Sequence, residues 1–451
     1  MSAVLSGARD GVPSGASSGV PGGVPGGVPG GVPSGTSGDV QPFAVADPGV
    51  SHVIIEVFGG DNNLSDYVDE DMAEMLAGTR GDFAMLGLAD VAQDRAGVVE
   101  LSPRIRGGRR VVEQWGEIDT GDPETLASFL ARALVTYGPG VRKAIGFWDH
   151  GSGVFDEGDP NETVLERRTM RTPRHLRSRS FRERRLFLSR YRNSMDPGSR
   201  AMLHDDTNAG VLTNLEATGV LKAAFARAGQ QDKVDLIFSD TCLNGMIEVL
   251  DQLKDFAHCI VASEELEPGD GWEYQEWLSL MSDRPPGSAD AWADQAVDAF
   301  GRGYAGRTND HPCTLAAFRS DQTISDAFAG LVTALRPLPD QGFGLLLQAR
   351  TRTQSFASDY DSFDLRDFAE RLAATTTDPQ LGAACGDLRG AVEQACVRSV
   401  ALGPTVQRAH GLAFWFPGSS ATYQRDIDTY RRLAFARHTG WADYLDAQFG
   451  G

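Results

Sequence analysis

An α/β fold, with a mostly parallel sheet flanked by helices, is predicted by three observations. First, short apolar runs recur at residues 53–58 (VIIEVF), 83–88 (FAMLGL), 143–148 (KAIGFW), 234–238 (VDLIF) and 259–262 (CIVA). Each is too short for a buried helix and is bounded by turn residues, as buried strands are. Second, stretches with apolar residues at helical spacing separate them, and strands alternating with helices imply a sheet of parallel strands with crossovers. Third, two runs end in small and polar residues, 149–153 (DHGSG) and 239–242 (SDTC). Open parallel sheets carry their sites at such carboxyl ends.

The elements follow in order. The first strand stops at Gly59 and Gly60. A helix is expected over 123–137 with Asp122 as its N-cap, because a short acceptor there satisfies an unpaired first-turn N–H. The strand at 234–238 is followed by a helical pattern over 243–253, which would start at Cys242 and use its dipole to lower the thiol's pKa. Further on, 313–318 reads as a strand and 364–374 and 381–400 as helices. A late strand at 411–416 (GLAFWF) is stopped by Pro417, and 441–449 reads as a final helix.

Composition bounds the function. The chain has 451 residues, 41% of them hydrophobic, enough to bury a core. The formal net charge is −20, which argues against nucleic-acid binding, since phosphate attraction needs a basic surface. A negative cleft would instead focus cationic peptides, although net charge also simply maintains solubility. Five cysteines, at 242, 259, 313, 385 and 396, form neither a disulfide framework nor a Cys-x-x-Cys pair. No metal site is expected from them. Residues 1–46 lack a basic and then apolar leader, and no stretch reaches the ~18 apolar residues of a membrane span. No membrane span and a cytoplasmic location are therefore expected.

Three regions are expected: a Gly/Val/Pro-rich tail over 1–46, a core over 47–311 and a C-terminal subdomain over 312–451. The tail should stay mobile, because glycine raises the entropy of ordering and proline removes donors. Residues 154–203 interrupt the alternation of strands and helices. Within them lie Arg167, Arg168, Arg171, Arg174, Arg177, Arg179, Arg182, Arg184, Arg185, Arg190, Arg192 and Arg200, with no lysine between the first and last. So cationic a run reads as an exposed insertion.

The chemistry concentrates in His150 and Cys242, which the two strand ends would deliver to one edge. A thiolate is a strong nucleophile and an imidazole moves protons near neutral pH. On pattern alone, a core thiol and a hydrogen-bonded structural histidine explain these residues equally well.

The motifs FWDHGSG (147–153) and SDTCLNGMIEV (239–249) resemble the histidine and cysteine boxes of the clostripain family of cysteine peptidases. The resemblance continues, in order, through GGDNNLSDYVDEDMAEM (59–75), DTGDPETLASFL (119–130), HDDTNAGVLTNLE (204–216), SEELEPGDGWEYQEWL (263–278) and GLAFWFPG (411–418). It implies a caspase-like three-layer sandwich with a C-terminal α/β extension. It further implies Cys242 as nucleophile, His150 as acid and base, and the N–H groups of Gly151 and Cys242 as oxyanion donors. Asp240, and with it Asp270, would select arginine or lysine before the scissile bond in a protein or peptide substrate. Asp240 also suits an N-cap, and Asn62 and Asn63 suit either the cleft lining or a turn. Relatives made as zymogens are cut between the two boxes, so the twelve arginines become processing candidates. No cofactor is implied; the family's occasional calcium dependence is not readable, and Asp66, Asp69, Glu70 and Asp71 read as a solvated helix face. The competing expectation is a catalytically inactive caspase-like interaction module. Another is a relative with a different side-chain preference, which would need a basic or neutral pocket where Asp240 lies.

Overall fold

The computed structural model describes residues 40–46, 48–92, 96–154, 202–307, 312–357 and 360–450. Its strands, in chain order, are β1 (His52–Gly60), β2 (Phe83–Val91), β3 (Ala96–Leu101), β4 (Arg109–Gly116), β5 (Arg142–Trp148), β6 (Leu203–Asp205), β7 (Gly210–Leu212), β8 (Val234–Asp240), β9 (Ala257–Ala262), β10 (Cys313–Arg319), β11 (Ser355–Phe356), β12 (Ser362–Asp364), β13 (Cys396–Leu402) and β14 (Ala413–Trp415). Nine of them form one sheet in the order β13-β10-β9-β8-β5-β1-β2-β3-β4. The five apolar runs read from the sequence supply β1, β2, β5, β8 and β9, which lie adjacent and parallel. Antiparallel strands extend both ends, β3 and β4 beside β2, and β10 and β13 beside β9. The sheet is thus mixed, with a parallel centre.

Successive residues of a strand face opposite sides, and two cores result. Ile55, Val57, Leu86, Leu88 and Ile237 meet the helices Pro123–Thr136 and Asn214–Ala228 on one face. Ile54, Phe58, Trp148 and Phe238 meet Ser65–Gly78, Tyr274–Asp283 and Ala289–Tyr304 on the other. Helix–sheet–helix layering follows, as expected. Trp277 and Trp292 are fully buried in the second core; truncating such an aromatic to alanine costs about 3–5 kcal/mol.

Local signals set most helix ends. Asp122 caps the helix at Pro123–Thr136 by accepting from the Thr125 N–H at 2.9 Å. Thr213 and Glu216 form a reciprocal capping box at the start of Asn214–Ala228. Two expectations are corrected. The helix expected over 243–253 is Ile247–Leu253, because Leu243 has φ of +64° and a left-handed residue cannot continue a right-handed helix. The helix expected over 381–400 is Pro379–Ala395, and the chain then becomes β13, whose pairing with β10 outweighs helical propensity. β10 and β13, from the segment expected as a C-terminal subdomain, therefore belong to the central sheet. The late strand reduces to β14, in a separate three-stranded sheet with β11 and β12.

Among the described residues, no helix is long and apolar enough to cross a membrane. The tail before residue 40 and all twelve processing-candidate arginines lie outside the described residues.

Candidate active site

Register brings the two polar strand ends together. Phe58 of β1 pairs with Trp148 of β5, and Trp148 pairs with Asp240 of β8, so the carboxyl ends of three adjacent strands are level. The Asp149 N–H donates to the Asp240 carbonyl at 3.3 Å. Two residues beyond this row lie His150 and Cys242. The two loops touch at Gly151, where a Cβ would come within 2.3 Å of the Cys242 carbonyl oxygen and 2.7 Å of the Thr241 side chain. Only glycine allows this approach. The Gly151 N–H has no hydrogen-bond partner among the described residues.

Cys242 is 8% exposed, and its sulfur accepts from the Glu267 N–H at 3.3 Å. Burial pushes the thiol up to about 12; the Glu267 N–H opposes this, while the charges of Glu265 and Asp240 add to it. The expected dipole effect is therefore corrected: with the helix starting at Ile247, no helix N-terminus sits at the sulfur. Leu243, in its left-handed conformation, instead turns the chain at once after the cysteine and is held by donating to the Glu265 carbonyl.

His150 is partly exposed. Its Nε2 lies 2.6 Å from Asn63 Oδ1. An amide oxygen only accepts, so Nε2 carries the proton in this arrangement. Burial and the neighbouring His204, whose ring centroid is 6.3 Å away, push the imidazole down to about 3. The resting pair is consequently a neutral thiol and a neutral imidazole. Behind it, buried Asp149 accepts from the N–H groups of His150 and His204 and from Asn62 Nδ2. Asn62 also accepts from the Leu64 N–H at 2.8 Å, which makes the turn weighed for it.

Near Cys242 is a buried cluster of acids. Asp240 Oδ2 accepts from Tyr274 OH at 2.8 Å and from the Trp272 N–H at 3.3 Å. Glu56 accepts from the same Tyr274 hydroxyl at 3.0 Å, Asp71 from Trp148 Nε1 at 2.7 Å, and Glu267 from Trp272 Nε1 at 3.2 Å. A Cβ on Gly271, whose φ is +69°, would lie 3.3 Å from Asp71 and 3.5 Å from Asp240. Burial raises all four carboxyls, and the charge of Asp240 raises the other three further. One oxygen of Glu56 has no hydrogen-bond partner, while Glu267 and Asp240 are hydrogen-bonded to each other. Such a cluster is short of positive charge. Asp270 is half-buried in the same loop, and its charge bears on Glu273 and Tyr304.

Three of these acids escaped the sequence reading. Glu56 had a usable signal, a carboxylate inside the apolar run VIIEVF. The reading of Asp71 as solvated is corrected: Asp66, Asp69 and Glu70 are exposed, but Asp71 lies on the buried stripe with Val68, Met72 and Met75. Glu267 lies in a loop, where no periodicity marks an inward residue.

A second acidic group, Asp61, Glu117 and Asp205, sits at the same sheet edge, with ligand atoms all within 4.8 Å of one another.

The Clostripain family model matches residues 57–166 and 189–447. The chain belongs to the clostripain family of cysteine peptidases. Solved C11 proteases share its fold. A secreted C11 cysteine protease from Bacteroides thetaiotaomicron, solved with an irreversible peptide inhibitor, superposes with a TM-score of 0.59 at 14% identity, covering 87% of this chain and 99% of that one. A structure of a secreted C11 cysteine protease of the same organism, called iotapain, gives 0.62 at 13% identity over 86% and 99%. An inactive zymogen C11 protease from Parabacteroides distasonis gives 0.58 at 15% identity over 86% and 98%. No curated protein matches the chain significantly.

Proposed function

We propose that this clostripain-family protein is an endopeptidase that cuts after arginine or lysine, with Cys242 as nucleophile and His150 as proton carrier. The observation that carries the reading is the buried acid cluster of Asp240, Asp71, Glu56 and Glu267 close to a cysteine that touches the histidine loop. A guanidinium or ammonium entering it exchanges water for fixed carboxylates in a low-dielectric site. Aromatic donors already hold one side of each acid, so little reorganisation is needed.

The chemistry begins from neutral groups. As sulfur attacks the scissile carbonyl carbon, His150 takes the thiol proton and the carbonyl oxygen becomes an oxyanion facing the N–H groups of Gly151 and Cys242. Collapse breaks the C–N bond, and His150 returns the proton to the leaving amine, giving a thioester. Water, deprotonated through His150, then releases the acid and the thiol. Asn63 holds the imidazole tautomer during these transfers, and Asp149 holds the loop.

Self-processing within 155–201 extends the proposal. The flanking residues Val154 and Met202 are both buried in the first core. Asn214 holds the Gly153 carbonyl at 2.7 Å, and Met202 N–H donates to Leu212 at 2.8 Å. A cut between them would leave both new ends anchored. The wild-type chain and Cys242→Ala are to be compared on denaturing gels and against a peptide library. Expected are fragments from the wild type alone and cleavage after Arg or Lys. Preference for another residue would end the specificity proposal, and an intact wild-type chain would end self-processing. Absence of any Cys242-dependent cleavage would favour the inactive interaction module.

A further inference from the structure

Cys242 stands at a junction of three chain segments. The first is its own loop, 241–246. The second is 263–267, which follows β9, and the third is 411–413, which leads into β14. The second segment holds the first on both sides of the sulfur. Glu267 N–H donates to Cys242 Sγ, Leu243 N–H to the Glu265 carbonyl at 3.3 Å, and Gly245 N–H to the Ser263 carbonyl at 2.7 Å. A Cβ on Gly245 would lie 2.8 Å from the Glu264 nitrogen, so the two backbones are in direct contact. The third segment closes the junction, because Ala413 N–H donates to the Gly245 carbonyl at 2.8 Å.

Glu264 ties the second segment to the third. It is 1% exposed, its Oε2 accepts from the Gly411 N–H at 2.7 Å, and its carboxyl is hydrogen-bonded to Asp364. Asp364 is itself fixed: it accepts from the His410 N–H, from His410 Nδ1 at 3.1 Å, and from the Asp367 N–H at 2.6 Å as N-cap of the helix Leu365–Thr375. The backbone of Glu264 is held from β10, where Thr314 Oγ1 accepts from the N–H groups of Glu264 at 3.0 Å and Glu265 at 3.1 Å. Two buried carboxyls bond only with a proton between them. Burial and the charge of Asp364 raise Glu264 well above the usual carboxyl range, so Glu264 holds that proton. The bond to Asp364 raises His410 in turn.

We propose that Glu264 is a positioning residue for Cys242: by bridging Gly411 and Asp364, its carboxyl locks segment 263–267 against the cysteine loop and so sets where the sulfur stands. The inference rests on the reading of Cys242 as nucleophile. Glu264 acts through the Glu267 N–H at the sulfur and the Glu265 carbonyl behind Leu243, without touching substrate. A misplacement of about 1 Å at a reacting atom can cost roughly 10²-fold in rate, so the lock bears on turnover. Loosening it would also uncover the sulfur, and a thiol that leaves apolar burial becomes more reactive. Glutamine reproduces the bridge, since its amide oxygen accepts from Gly411 and its NH2 donates to Asp364. Alanine removes it and leaves the Gly411 N–H without its acceptor.

The test uses the full chain and compares wild type, Glu264→Gln and Glu264→Ala at a temperature where all are folded. Alkylation of Cys242 by iodoacetamide is timed and located by peptide mapping, and kcat and KM are measured on an arginine peptide. Glu264→Ala should speed alkylation at least about threefold, as the sulfur is uncovered. It should lower kcat at least about tenfold and by more than it changes KM. Glu264→Gln should stay within about twofold of wild type on both, because the bridge is kept. Glu264→Asp is too short to span both partners; it should move both rates in the direction of alanine, and it covers the case in which the alanine variant fails to fold. Alkylation does not require a peptidase. Faster labelling in a chain that cuts no peptide would therefore support the lock and end the peptidase reading. Wild-type labelling and kcat in the alanine and aspartate variants would overturn the lock and leave the peptidase reading standing. A glutamine variant as impaired as alanine would overturn it equally, since the bridge would then not be what positions the sulfur.

Discussion

Two groups of buried acids lie at the same sheet edge on opposite faces, and they are finished differently. Glu56 stands between Ile55 and Val57 and so faces the second core; Asp90 stands between Ala89 and Val91 and faces the first. Around Asp240, each acid has a donor from an aromatic side chain: Trp148 to Asp71, Tyr274 to Asp240 and Glu56, Trp272 to Glu267. Around Asp90, the donors are backbone N–H groups on Asp205, and Asp90 itself, held protonated, bonds to the Asp205 carboxylate. Donors on one side of a carboxylate orient it and leave the other side for a planar organic cation. Carboxyls that bond to one another share a proton instead. Both groups concentrate negative charge, but the partners supplied by the surrounding side chains separate their roles.

The comparison can be broken most forcefully at Asp240. Asp240→Asn is expected to lower kcat/KM for arginine peptides by roughly 10²-fold or more, as loss of one partner in a buried charge pair does. Because the pocket carboxyls are raised, they are neutral at low pH and ionise as pH rises. For the wild type, kcat/KM for arginine peptides should therefore increase with pH, and in Asp240→Asn that rise should flatten. Initial rates across a pH series check both statements.

The reverse experiment is stability at Asp90. Its carboxyl is raised from 3.8 to about 10, so the folded chain holds a proton at pH 7 that the unfolded chain has lost. Stability then falls as pH rises between those values, and Asp90→Asn should be more stable than wild type by about 2–4 kcal/mol at pH 7. The gap should shrink toward pH 4 in urea denaturation. Equal stability at pH 7 would mean that the Asp90 carboxyl is not raised in the folded chain.

Asp71→Asn sharpens the pocket itself. The amide still accepts from Trp148 but carries no charge, so a loss of roughly tenfold in kcat/KM for arginine peptides is expected. The smallest effect belongs to Asp69, two residues away, whose pair with Arg109 at 2.8 Å is solvent-exposed. Asp69→Asn should change stability by less than about 0.5 kcal/mol and leave turnover as it is.

Adjacent residues of one helix thus differ in what can be read from the sequence. Asp69, Glu70 and Asp71 look alike as an acidic run; only the rotation of the helix against β1 and β2 buries Asp71. The same limit explains Leu243. Its residues downstream have helical spacing, but the contact with Glu265 and the turn after the cysteine impose a positive φ that propensity does not reveal. It also explains β13, where pairing with β10 decides the state of a segment whose spacing suits a helix.

What the sequence determined by itself is the local grammar: five short apolar strands, the Asp122 cap, and two strand ends carrying His150 and Cys242. These depend on neighbours within a few residues, so they survive being read along a line. The tertiary structure decided what depends on meetings across the sheet. It put Glu56, Asp71 and Glu267 with Asp240, and Asp90 with Asp61 and Asp205, and it turned an expected low-pKa thiol into a buried neutral one. Charge and burial act through space, and their sum at a carboxyl or a sulfur is known only once distant segments have been brought together.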